Sequence, residues 1–140
     1  MKKLLRKQGG FTLLELLIVI VIIGILAVLI IPNLTSGPKR ARDSQRKSDL
    51  RNVKTALETY YNDYSAYPSG DYNGLESKLE TDYIKDLPKD PKNSGTLIYT
   101  YTPSGCTGTT CTGYELKAHF ENAKDGQADA NGDYTISSAN

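Results

Sequence analysis

A chain of 140 residues accommodates one domain and little more. With 39% apolar residues, 24% charged residues and a formal net charge of +1, it excludes a collagen-like, a largely disordered or a multi-pass membrane protein. The averages conceal a polarised order: residues 1–10 carry four basic side chains and no acidic one, residues 39–54 seven basic and two acidic, and residues 55–140 six basic and thirteen acidic.

The first ten residues form a basic leader containing Lys2, Lys3, Arg6 and Lys7. Leu13 to Ile31 is then an apolar run of 19 residues, interrupted only by Glu15. At about 1.5 Å per residue such a helix roughly crosses the hydrocarbon core of a bilayer. A secretory signal peptide fits poorly, because the run is long and ends in Ile30-Ile31-Pro32-Asn33 rather than in small residues. An uncleaved signal anchor with its leader in the cytoplasm agrees with the leader's charge, although the basic stretch after the span opposes it. A core helix of a soluble protein would find nothing here to bury it.

Glu15 does not suit a plain anchor. A charge within a span costs roughly 2.5–3.5 kcal/mol at mid-membrane and less near its edge. The segment holds no Lys, Arg or His, so the partner is expected from another chain or from a new amino terminus. Cleavage after Gly10 would place the α-amine of Phe11 one helical turn before Glu15, and such an amine is mostly charged at neutral pH.

Gly9-Gly10-Phe11-Thr12-Leu13-Leu14-Glu15, followed by the apolar run, resembles the prepilin leader of type IV pilins and pseudopilins. The close match covers residues 1–34 and continues more loosely to residue 68. The resemblance implies a membrane peptidase that cuts after Gly10 and methylates Phe11, with Glu15 as the assembly acid. Gly24 and Pro32 match the family's helix-loosening residues. Implied partners are identical or related pilin subunits, the prepilin peptidase and an inner-membrane assembly platform. The implied location is a single pass of the cytoplasmic (inner) membrane, followed by an extracellular or periplasmic filament.

Pro32 lacks a donor and should kink or interrupt the helix, and Ser36-Gly37-Pro38 is a second weak point. Leu50, Val53, Leu57, Tyr60, Tyr61 and Tyr64 recur at 3/4 spacing, which predicts a helix from Lys39 to Tyr64. Its stripe is expected on the sheet of the head or, alternatively, on another helix. Arg46, Lys47, Arg51, Lys54 and Glu58 are assigned to the opposite face. Three readings of this basic neck stand open: a solvated surface, pairing with acidic heads of neighbouring subunits, and nucleic-acid binding, which the acidic head disfavours.

Leu75 to Ile84 reads as a short helix and Asp86 to Pro91 as a rigid linker. Leu97 to Thr102 is a β-rich run. Tyr114, Leu116, Ala118 and Phe120 alternate with Glu115, Lys117 and His119, as in a half-buried strand. Tyr134 to Ser137 is a third candidate strand. Tyr67-Pro68, Gly74-Leu75 and Leu87-Pro88-Lys89-Asp90-Pro91 resemble loop landmarks of the major pseudopilin of type II secretion systems. The Trp-Gly-Asn usual after that Asp-Pro is replaced here by Lys92-Asn93-Ser94.

Cys106 and Cys111 suggest a disulfide if the head lies outside the cytoplasm, and two inert thiols otherwise. With His119 the single histidine, they make no zinc set. Asp125, Asp129, Asn131 and Asp133 are hard oxygen ligands within nine residues, but their spacing is not that of an EF-hand. Some related pseudopilins carry calcium near their carboxy-terminal loop, so the resemblance raises calcium as a cofactor; the alternative is a solvated acidic turn. No catalytic motif occurs. The ten tyrosines are read as filling for a core short of Leu and Phe.

The expected fold is therefore α+β: a long N-terminal helix, half membrane-spanning and half amphipathic, packed on a small antiparallel β-sheet head. The expected segments are 1–10 leader, 11–31 membrane and assembly helix, 32–64 kinked neck helix and 65–140 head. The first functional expectation is a structural subunit of a type IV pilus-like filament. The alternatives are a pseudopilin for type II secretion or DNA uptake and a monomeric membrane-anchored binding module.

Overall fold

The computed structural model describes residues 10–80, 82–122 and 125–139, without the side chains of 30–35. The leader positions before Gly10 lie outside the described residues. The chain separates into two compact units, residues 1–37 and 38–140.

One helix, α1 (Leu13–Tyr64), contributes to both. It is assigned as a single element through Gly24, Pro32 and Pro38, so neither proline ends it. In the first unit every described side chain from Phe11 to Leu29 is exposed. Among the described residues no helix is long and apolar enough to cross a membrane. The described apolar stretch ends at Leu29, and the side chains of Ile30 and Ile31, which complete the expected span, lie outside the described set.

In the second unit α1 ends at Tyr64, followed by Ser65 in the left-handed region (φ 53°). The head then runs β1 (Tyr67–Pro68), a 3-10 turn (Asn73–Leu75), α2 (Glu76–Leu79), β2 (Tyr99–Ser104), β3 (Thr110–Cys111), β4 (Gly113–His119) and β5 (Asp133–Ser137). The main sheet is antiparallel in the order β2-β4-β5, with Tyr99 opposite Ala118 and Ala118 opposite Tyr134. Three strands beside a helix suffice for a small core where two would be marginal.

The predicted alternation holds in β4 and just beyond it: Tyr114, Leu116, Ala118 and Phe120 are all buried. Tyr114, Leu116 and Ala118 share one core with Leu50, Val53, Ala56 and Leu57 of α1, and Leu75, Leu79 and Leu87 close it. Tyr60 and Tyr61 pack partly buried against it, whereas Tyr64 is 61% exposed. The stripe thus faces the sheet, and only its last position is left over.

Tyrosines fill this core because each hydroxyl finds an acceptor at its edge. Tyr99 donates to Asp49 at 2.6 Å, Tyr101 to the Pro68 carbonyl and Tyr72 to the Pro88 carbonyl, both at 2.7 Å. Tyr67 and Tyr114 both donate to Glu58 at 2.9 Å. Burial, with Glu58 added to it, pushes these two phenols above their ordinary value. Glu58 is therefore a core-edge acceptor, not part of a solvent face.

Two local expectations are corrected. The helix predicted over Leu75–Ile84 stops at Leu79, because Glu80 turns extended and its carboxylate accepts the Leu87 N–H at 2.8 Å. The Tyr67-Pro68 turn is a two-residue strand opposite Cys111 and Thr110. Proline is tolerated there because this strand lies at a sheet edge.

Cys106 and Cys111 form a disulfide across the loop between β2 and β4. Gly105 enters that loop at φ 61°, and a side chain on it would run into the Thr112 hydroxyl. The loop is thus closed by covalent and steric means together.

Candidate functional site

Thr12-Leu13-Leu14-Glu15 starts the apolar helix as a reciprocal cap. The Thr12 hydroxyl accepts the Glu15 N–H at 3.2 Å. One Glu15 carboxylate oxygen, Oε2, accepts both the Thr12 N–H and the Thr12 hydroxyl at 2.9 Å. This satisfies donors that the first helical turn leaves over and sets a carboxylate at the positive end of the helix dipole. Glu15 thus has uncharged hydrogen-bond partners in its own chain, beside the positive partner expected from another chain or a new terminus. The Thr-x-x-Glu spacing is the sequence signature of such a cap, a signal that points to Thr12. Among the described residues, Oε1 receives no hydrogen bond.

Phe11, directly before the cap, is 84% exposed. A Cβ added to Gly10 or to Gly24 would meet no described atom within 4 Å. The fold of a single chain therefore does not require glycine at either position. Gly10, Phe11, Thr12 and Glu15 form one exposed constellation at the start of α1.

The basic neck behaves differently from expectation. Arg46 is fully buried, not on an opposite solvated face. Its guanidinium grips both oxygens of Asp90 (2.6 and 2.9 Å), donates to Asp43 at 2.7 Å and reaches Glu121 at 3.0 Å. Asp43 in turn accepts the N–H groups of Glu121 and Asn122. Arg42 adds a two-point contact to Glu121 at 2.6 and 2.7 Å, and Lys92 a further pair at 3.1 Å. Burial opposes charge on Arg46, but its bonds to Asp90, Asp43 and Glu121 outweigh that and hold it more firmly protonated than usual. The Arg42 hydrogen bond, helped by Lys92 and Arg46, holds Glu121 well below the ordinary carboxylate range.

Lys47 pairs with Asp125, and Lys54 donates to the Ser137 carbonyl at 3.0 Å. Four of the seven basic neck residues, Arg42, Arg46, Lys47 and Lys54, are thus engaged by the chain's own head. Pairing with acidic heads does occur, but within one chain. Lys39, Arg40 and Arg51 remain exposed. For nucleic-acid binding this leaves a much smaller cationic surface than the sequence suggested.

The four carboxy-terminal candidates are not assembled as a cation site. Asp125 turns to Lys47 and also accepts the Gln127 N–H at 3.0 Å. Asp129 Oδ1 accepts the N–H groups of Asn131 (2.8 Å) and Asp133 (2.9 Å). Asp133 lies 2.8 Å from His119 Nδ1. Among the described residues no three His, Cys, Asp or Glu side chains are placed to hold a metal. The donor set as folded is not gathered for calcium among the described residues.

Residues 5–31 match the family model described as the prokaryotic N-terminal methylation motif. Beyond it, the chain is 40% identical to the type II secretion system core protein G of Vibrio cholerae, over 78% of this chain and 80% of that protein. The protein of the same name from Pseudomonas aeruginosa is 33% identical over 91% and 94%, and that of Escherichia coli 42% identical over 61% and 67%. No solved structure matches the chain. The prepilin motif, the α+β fold and relatives that align along most of the chain together place it in the type IV pilin-like family, among the relatives of the type II secretion system core protein G.

Proposed function

We propose that this protein is a pseudopilin, a structural subunit of the short filament of a type II secretion-like system. The observation that carries the reading is the likeness to core protein G along most of both chains, head included. The methylation motif is common ground with pilus subunits, so it supports the family more than the branch. The first expectation, a long type IV pilus, therefore gives way to the pseudopilus alternative.

In this reading the precursor sits in the inner membrane through residues 11–31, with leader 1–10 on the cytoplasmic side and residues 65–140 outside. A prepilin peptidase removes the leader after Gly10 and methylates Phe11. Related subunits then stack their apolar helices, which explains why Phe11 to Leu29 find no cover within one chain. Gly24 and Pro32 supply adaptability in that helix. Cys106–Cys111 suits a head in an oxidising compartment.

The direct test is the intact mass and terminal sequence of the protein recovered from its own cells. A methylated chain beginning at Phe11 is expected. Gly10→Ile should leave the leader attached without unfolding the head, because a Cβ there would meet no described atom within 4 Å. Branch is tested separately: loss of the chain should block protein release, and overproduction should give filaments retained at the envelope. Long surface fibres with unaffected secretion would restore the pilus reading.

A further inference from the structure

The carboxy-terminal loop contains the residues that the family resemblance nominated for calcium, yet a cation of another kind already occupies its strategic point. Lys47 Nζ lies 2.9 and 3.0 Å from the two oxygens of Asp125. The same ammonium lies 5.2 Å from the centroid of Phe120 and 6.0 Å from that of Tyr134, rings that stack at 5.3 Å. Both distances are within the range of cation–π attraction. Lys47 belongs to α1, Phe120 follows β4, Tyr134 is in β5 and Asp125 is in the connecting loop. One side chain thus ties the helix, the sheet and the loop together.

Among the described residues, the part of the loop after Asp125 is closed by its own bonds. Asp129 receives two backbone N–H groups through its carboxylate, its N–H donates to the Asp133 carbonyl, and its carbonyl accepts the Gly132 N–H. The Phe120 N–H donates to the Gly132 carbonyl at 2.9 Å, fixing the loop's exit beside its entry. The carboxylates a divalent ion would have to gather are spent on lysine, histidine and backbone.

We propose that Lys47 is the built-in cation of the carboxy-terminal loop, and that this head folds independently of calcium. The ammonium does what a bound ion does elsewhere: it neutralises Asp125 and links the loop to the helix. This holds whether the filament is a pilus or a pseudopilus.

The test is thermal unfolding of the full chain in detergent micelles, followed through the near-ultraviolet signal of its tyrosines. A ligand that binds only the folded state raises the midpoint with its concentration. The wild type should unfold at the same midpoint in excess EDTA and in millimolar calcium chloride. Lys47→Met keeps the apolar stem and removes the ammonium; it should lower the midpoint by about 4–8 °C in both media, the effect of one such contact in a domain of this size. Lys47→Arg should recover most of that loss. A midpoint that rises with calcium in the wild type, or one unmoved by Lys47→Met, overturns the proposal. If Lys47→Met does not fold, terbium luminescence on the wild type still decides: a saturable signal displaced by calcium refutes the proposal, and its absence supports it.

Discussion

Replacing Arg46 by Met should destabilise the head by about 3–5 kcal/mol, the cost of leaving buried charges without their partner. The magnitude follows from the surroundings. Arg46 has no solvent contact, and three carboxylates converge on it from α1, the Asp90 loop and the segment after β4. Removing the guanidinium leaves Asp43 and Asp90 buried, with Glu121 held only by the more exposed Arg42 and Lys92. Arg46→Lys should be nearly as harmful, since one ammonium cannot reproduce the two-point grip on Asp90 while still reaching Asp43 and Glu121. Urea unfolding of the full chain in micelles measures the loss. A change below about 1 kcal/mol, the worth of a surface pair, would show that the cluster is solvated.

The same cluster predicts the direction of pH dependence. Burial works against the charge on Asp90, but the Arg46 guanidinium and the Lys92 and Asn93 N–H groups outweigh it and lower its pKa; Glu121 is lowered mainly by Arg42. A carboxylate depressed in the folded state contributes stability that is complete above its unfolded pKa and is lost as pH falls towards the folded value. With an unfolded reference of 4.5 for Glu121 and 3.8 for Asp90, the urea midpoint should fall continuously from about pH 4.5 downward. Arg46→Met should flatten that slope.

Periodicity alone contained more of this than residue type suggested. Leu57, Val53 and Leu50 step back along α1 at 3/4 spacing, and the next two steps are Arg46 and Asp43. A fully buried arginine is so rare that residue type points to solvent here, against the spacing. The partners, Asp90 and Glu121, are 44 and 75 residues away, and nothing local in the sequence pairs them with Arg46. The central strand, β4, is legible because apolar and polar positions alternate with period two; the β-rich run Leu97–Thr102 marks β2 two residues early, at Tyr99–Ser104. The short strand at Tyr67-Pro68 is not legible, since a turn-like dipeptide becomes a strand only when Thr110 and Cys111 lie opposite it. At the start of α1 the motif is legible; the role of Thr12 is less so, because an uncharged cap does not answer the need of Glu15 for a positive partner.

Glu15→Leu should leave cleavage intact and sharply reduce filament assembly. In the proposed pathway, cleavage acts on the Gly10–Phe11 bond, upstream of the cap, whereas assembly would draw on the carboxylate twice. In the unassembled subunit the charge makes the membrane a poorer environment for the helix, by an amount that falls towards the interface. Leucine removes that penalty and with it part of the drive to leave the lipid. In the proposed filament, Oε1 would accept the Phe11 amine of a neighbour while Oε2 keeps its bonds to Thr12. A pair contributing even about 1.4 kcal/mol changes each addition step tenfold, and the deficit recurs at every subunit added. Glu15→Gln separates charge from cap, because its side-chain carbonyl still accepts from Thr12 but carries no charge. Filament yield after shearing, compared at equal processing, should be as low for Gln as for Leu if the charge drives assembly. A Gln variant that assembles normally beside a defective Leu variant would transfer the role from the charge to the cap, and normal filaments from Leu would remove Glu15 from assembly altogether.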